Sequence, residues 1–202
     1  NAPAPNTTHT VQYYYNTTTD QTTSLQGSIY NTATDSKSGL VTSTYSSGVW
    51  VKATYTATTN ATAAGASTNF AGVRHAAITS SNVLIDDFVV YAGAVDTTVP
   101  TAATVSTVSI ASATTFNVGW TASADADKTG YMVVRYTSDP TGQPLPNVNG
   151  IYGVTNTIGT GTVAYVGTGN SFIDTVTDTA VTHYYRIFTV DKAFNYSSAL
   201  DL

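Results

Sequence analysis

Asp86 and Asp87 form the one acidic pair set in an apolar run, Ile85-Asp86-Asp87-Phe88-Val89-Val90. Carboxylate and carbonyl oxygens are what a hard cation such as Ca2+ takes. Asp86 and Asp87 are therefore candidate ligands for a structural Ca2+, the only cofactor the sequence points to. The spacing is not the Asp-x-Asp-x-Asp-Gly of a dedicated calcium loop. The competing arrangement is a strand bulge with one carboxylate capping backbone amides. A second chemistry is stacking on sugar faces, for which Trp50, Tyr13, Tyr14, Tyr15 and Tyr152 are candidates. Arg74, in the lone basic doublet Arg74-His75, can contact a sugar or a carboxylate. The same aromatic residues also serve sandwich cores and protein interfaces.

Catalytic sets are harder to assemble. Glycoside hydrolysis needs two carboxylates facing one sugar ring at a set separation, and no acidic pair has a pocket-like context. There is no Gly-x-Ser-x-Gly elbow. His9, His75 and His183 lack metal-ligand spacing. The glycine-bearing stretches "TIGTGTV" and "VGTGNSF" lack a phosphate-loop lysine and precede no helix. A non-catalytic protein is expected.

The elements that must position these residues read as strands. Of the 202 residues, 40 are Thr; all 12 acids are Asp, and only 9% of residues are charged. Thr suits a pleated, half-buried surface, whereas the missing Glu and scarce Lys are helix formers. An all-β chain follows. Its formal charge of -5, with four Lys and three Arg scattered singly, excludes a nucleic-acid footprint. No apolar run approaches the ~18 residues of a membrane span. Without Cys there are no disulfides and no thiolate metal sites. Asn1 is not a start residue, so a processed or excised piece is expected.

Along the chain, residues 1–12 read as an arm without periodicity before Val11. The best strand of the first half is "GVWVKATYTATT", which puts Val49, Val51, Ala53 and Tyr55 on one face and Trp50, Lys52 and Thr54 on the other. After Pro100, "TVSTVSI", "TTFNVGWTAS", "GYMVVRYTS", "GTVAYVGT" and "THYYRIFTVD" alternate with Gly/Asn/Asp/Pro turns, the signature of a sandwich or barrel. The expected division is 1–95, a linker at 96–102, and 103–202.

"FNVGWTAS", "GYMVVRY" and "HYYRIFTVDKAFNYSS" resemble the second, third and sixth strands of a fibronectin type III-like domain. The likeness implies that Phe116, Val118 and Trp120 point inward, as do His183, Tyr185, Ile187 and Thr189. His183 then stands where the family places its corner tyrosine, and its ring can donate a similar bond; a slip of one residue would make Tyr184 the corner residue instead. "VWVKATYTATT" through "NVLIDDFVVY" resembles the closing strands of a carbohydrate-binding-type jelly roll, carried by Trp50, Ile85, Asp86, Asp87, Phe88 and Val90. "VDTTVPTA" resembles the linker joining such modules in secreted proteins of the Bacteroidetes. Asp-Thr pairs at Thr97, Thr175 and Thr179 resemble an O-glycosylation signal of that group, and Asn6, Asn16, Asn60 and Asn195 head Asn-x-Ser/Thr triplets.

The expected fold is two β-sandwich domains in tandem, a truncated jelly-roll-like one and then a fibronectin type III-like one. The first half is short for the eight strands of a jelly roll. An arm that donates a strand to another copy would make up the difference and, repeated head to tail, would build a filament. The expected function is thus a secreted, cell-surface structural or adhesive protein whose partner is another copy of itself. The alternative is a glycan-binding accessory fragment of a larger secreted enzyme.

Overall fold

The computed structural model describes residues 6–17, 21–31, 36–45, 50–59, 69–75 and 83–202, with β2, β3 and most of β5 described at the backbone alone. Every ladder is antiparallel, and no helix occurs among the described residues. The chain divides into two compact units, Asn1–Asp96 and Thr97–Leu202.

The first unit contains β1 (Thr8–Thr17), β2 (Gln21–Asn31), β3 (Ser36–Tyr45), β4 (Val51–Thr58), β5 (Asn69–His75) and β6 (Val83–Ala92). They form two sheets, in the orders β4-β1-β6 and β3-β2-β5. Strand alternation sends Val11, Tyr13 and Tyr15 of β1 to the same side as Ala53, Tyr55 and Ala57 of β4, and these six form the buried core. Tyr55 reaches the second sheet, where its hydroxyl donates to the Gly72 carbonyl of β5. Residues 8–12, expected as an arm, are instead part of the central strand of this sheet. Their Thr-His-Thr-Val-Gln sequence hides the strand because its outward side chains are polar, yet Thr10 and Gln12 are buried, Thr10 with its hydroxyl on the Gly93 carbonyl of the following tail.

The second unit contains β7 (Thr104–Ser112), β8 (Thr115–Thr121), β9 (Lys128–Tyr136), β10 (Thr157–Ile158), β11 (Gly161–Gly167), β12 (Ser171–Thr175), β13 (Tyr184–Asp191) and β14 (Leu200–Asp201). Sheet β12-β8-β7 packs on sheet β10-β11-β9-β13-β14. Phe116, Val118 and Trp120 of β8 meet Tyr131 and Val133 of β9 and Tyr185 and Ile187 of β13. Trp120 lies edge-on to Tyr131 at 5.3 Å and to Tyr165 at 5.9 Å. Each large side chain buried here contributes roughly 1.5–3 kcal/mol.

The five-stranded sheet is apolar on its other side too. Met132, Val134, Tyr136, Phe188 and Val190 form a second cluster there, with Tyr152 and Tyr196 packed against it. The segment 137–156 is pinned over this side. Asn149 donates through its backbone to Phe194 O at 2.9 Å and through Nδ2 to Ala193 O at 2.7 Å. Tyr196 donates to Gly150 O at 2.7 Å. Sheets covered on both faces read as near-continuous apolar runs, and "YMVVRY" and "YYRIFTV" are broken only by Arg135, Arg186 and Thr189.

Candidate functional site

The sheet β4-β1-β6 has an outer side whose membership follows from register. Opposed residues in an antiparallel pair share a face. Lys52 of β4 opposes Tyr14 of β1, and Tyr14 opposes Asp86 of β6. The next row is Thr54, Gln12 and Val89. On the other side of the first row, Asn16 opposes Leu84, and Trp50 is the residue immediately before β4. Trp50 is 46% exposed, Leu84 and Asp86 are exposed, and Tyr14, Asn16 and Lys52 are half-buried. Burial lowers the Lys52 ammonium from the ordinary lysine range.

A bulge puts Asp86 there. Between Gln12↔Val89 and Tyr14↔Asp86, β6 uses one residue more than β1. Asp87 takes a φ of 49°, and its N–H donates to Asp86 Oδ1 at 2.8 Å. Asp is among the few residues that tolerate this left-handed conformation. The extra residue reverses the alternation. C-terminal to it, Val90 shares the core side with Val11; N-terminal to it, Ile85 does so with Tyr15. Phe88 stacks on Tyr13 at 6.1 Å. Without the bulge Asp86 would face the core.

The opposite end of the outer side is closed by the unit's own tail. Gly93 N donates to Thr8 O, Thr10 Oγ1 donates to Gly93 O, and Asp96 N donates to the Tyr91 hydroxyl. At the other end the described residues of this face are Tyr14, Lys52, Asp86, Asn16 and Leu84, with the exposed Trp50 just before β4. An aromatic plane beside groups that donate and accept hydrogen bonds suits a polyhydroxylated ligand.

The remaining sequence candidates go elsewhere. Tyr13 and Tyr15 are each 1% exposed and belong to the core, so neither presents a stacking surface. The signal was in the sequence: Val11, Tyr13 and Tyr15 share one parity and Tyr14 the other. Tyr152 is half-buried against Tyr196, ring centroids 5.8 Å apart, and its hydroxyl accepts from Asn147 N. Arg74 opposes Gln26 on β5, and its side chain lies outside the described residues. Thr97 and Thr175 are exposed. Thr179 donates its hydroxyl to the carbonyls of Ser112 and Ala113. The grouping of Lys52 and Asn16 with Tyr14 and Asp86 depends on register between distant strands, and only the Trp50–Lys52 parity was readable locally.

In the second unit the acids serve the fold. Asp174 accepts from Arg135 Nη1 at 2.8 and 3.0 Å and from the Tyr185 hydroxyl at 2.8 Å. Burial, then this bond to Asp174, pushes the Tyr185 phenol well up. Asp191 accepts from the N–H groups of Ala193 and Asn195 and from Asn195 Nδ2. Its carboxylate lies within 4.8 Å of that of Asp127, which has the Lys192 ammonium 3.9 Å away. Asp125 is held below the ordinary range first by the Thr101 N–H and then by Asp127, and Asp139 by Thr141. His183 Nε2 lies 3.4 Å from the Asp178 carbonyl, which accepts a hydrogen bond from the ring in the Nε2-protonated tautomer. The ring also lies edge-on to Phe116 at 5.7 Å.

No protein-family model matches the chain, and no curated protein matches it in sequence. Among solved structures, the chain is similar to the Endo-D glycoside hydrolase domain from Streptococcus pneumoniae R6, with a TM-score of 0.51 and 12% identity over 98% of this chain and 29% of that one. A beta-1,2-glucanase from Parabacteroides distasonis aligns with a TM-score of 0.44 and 13% identity over 99% of this chain and 29% of that one. This chain thus spans less than a third of the length of either. The first likeness bears on fold: an antiparallel all-β arrangement of a kind found within a glycoside hydrolase chain.

Proposed function

We propose that this chain is a non-catalytic, glycan-binding accessory segment of a larger secreted carbohydrate-active enzyme. The observation that carries the reading is one face of sheet β4-β1-β6, where register brings Tyr14, Lys52, Asp86 and Asn16 together and the exposed Trp50 immediately precedes β4. Support comes from the fold's likeness to part of the Endo-D glycoside hydrolase structure. The β-strand orders of the second unit, with "FNVGWTAS" and "HYYRIFTVDKAFNYSS" on neighbouring sheets, fit the fibronectin type III-like resemblance. Trp50 and the Ile85–Val90 strand fit the jelly-roll one. A pull-down on insoluble polysaccharides tests the reading. Retention of the native chain and loss of retention in Trp50→Ala is the expected result. A Trp50→Ala chain retained as well as the native one removes the assignment.

A second reading, self-association into a surface assembly, is favoured by apolar side chains left open at sheet edges. Ile85, Phe88 and Val90 of β6 are exposed on the core side. So are Val108 and Ile110 of β7, which oppose the buried Val118 and Phe116. It ranks second because both strands carry bulges, and bulges blunt edge pairing. Light scattering across a concentration series decides it: a monomer at every concentration discards self-association.

A further inference from the structure

On the self-association reading above, we propose that β7 pairs edge to edge with β7 of a second copy, antiparallel about a two-fold axis through Val108, and that this closes a dimer. Among the described residues β7 pairs with β8 alone, so its other edge has no strand partner. Val108 and Ile110 oppose Val118 and Phe116, which are buried in the core of the second unit. Opposed residues share a face, yet Val108 is 39% exposed and Ile110 65% exposed. The core side of this strand is thus left uncovered where a strand added at the edge would lie.

The composition of β7 selects a second copy as the occupant. Its sequence, "TVSTVSIAS", holds no charge and no Pro, the residues that normally guard an edge. Two chains of net charge -5 therefore meet here without opposing like charges. β6, also an edge strand with exposed apolar residues, carries Asp86 and Asp87 mid-strand, and pairing it with itself brings carboxylates together. Two bulges in β7 fix the register. They fall between Thr104 and Ser106 and between Ile110 and Ser112, and Val105 holds the first at a φ of 44°, outlying for a β-branched residue. Between them Ser106–Ile110 is regular, and that run is symmetric about Val108. Laid run against run, Val108 meets Val108, with Ile110 of each copy diagonal to it. Thr107 opposes Ser109 on the other face, a pair that hydrogen-bonds across strands. A two-fold contact is self-complementary and consumes both edges, so it stops at two copies where a head-to-tail contact would continue. A standard interface uses about 20–30 residues a side; this strand pair is smaller, so the dimer is weak and depends on concentration.

The chain has no Cys, so one introduced thiol reports on one contact. Val108→Cys is compared with Ile173→Cys, whose site is 67% exposed on β12 at the opposite edge of the same sheet. Both variants are oxidised with diamide and run on non-reducing gels, and the native 202-residue chain is sedimented from about 10 μM to about 1 mM. The expected result is a disulfide-linked dimer from Val108→Cys in clear excess over Ile173→Cys, and a native chain that passes from monomer to dimer and no further. In Val108→Lys two ammonium groups face each other across the axis, and the dissociation constant rises about ten-fold or more. Far-UV circular dichroism confirms that the variants are folded. Equal crosslinking from the two positions, association that ignores Val108→Lys, or open-ended growth overturns the β7 dimer and leaves self-association standing. A native chain that stays monomeric at every concentration overturns both.

Discussion

The two units use their scarce charges in opposite ways. In the second, Asp174, Arg135 and Tyr185 converge inside the sandwich, and Asp191 and Asn149 bind loops to the sheet. In the first, Lys52 and Asp86 flank Tyr14 on the outer side of a Thr-rich sheet, and the exposed Trp50 immediately precedes β4. A buried carboxylate is held by partners whose loss costs stability; one at an exposed bulge can be exchanged at little cost to folding. The contrast sets charges that hold the scaffold apart from charges on the proposed binding surface, in a chain with so few charged residues.

The strongest way to break the comparison is Asp174→Ala. Removing this carboxylate leaves Arg135, a quarter exposed, with the Thr175 carbonyl but no counter-ion from Asp174, and takes the acceptor from the buried Tyr185 hydroxyl. A loss of about 3 kcal/mol is expected in urea unfolding, with polysaccharide retention of the folded fraction unchanged. Asn149→Ala comes next. It frees the Ala193 carbonyl and Asn195 Oδ1, at a cost of about 1–3 kcal/mol.

Alkaline pH gives a smaller, signed effect. The Tyr185 and Tyr136 phenols are both raised, chiefly by burial. The unfolded chain therefore loses these protons first. Their contribution is complete below the unfolded tyrosine value of ~10 and is lost as pH rises beyond it. Thermal midpoints should fall above about pH 10, and Tyr185→Phe should flatten that fall. For Asp125 and Asp139 the sign reverses: their lowered values give stability above the unfolded Asp range that is lost as pH falls through the folded one. Both are solvent-facing, so this is the smallest pH effect expected. Trp50→Ala sharpens the comparison from the other side, with stability kept within about 0.5 kcal/mol and binding lost.

Much of this contrast was legible locally. The alternation in "GVWVKATYTATT" separates Trp50 and Lys52 from Ala53 and Tyr55, and that in "FNVGW" sets Phe116, Val118 and Trp120 inward, as the structure has them. Three features were hidden because they depend on partners far along the chain. Thr8–Gln12 is polar outward, so its place at the sheet centre comes from β4 and β6. The Asp87 bulge reverses the parity of β6, and only its pairing with β1 reveals that. The segment 137–156 carries three Pro and reads as a plain loop, yet Asn149 and Tyr152 tie it to an apolar sheet side whose cover no local pattern announces. "SFIDT" falls outside the five stretches expected as strands after Pro100, and it is β12.

The chain contains its own reporter for the central claim. Trp50 is nearly half exposed, while Trp120 is buried among Tyr131, Tyr165 and Phe172. Acrylamide quenching of tryptophan fluorescence, titrated with the polysaccharide that retains the protein, reads the two separately. Protection of the quenchable Trp50 fraction on binding, absent in Trp50→Phe, is the predicted result. Tight binding that leaves Trp50 as quenchable as before would contradict the account.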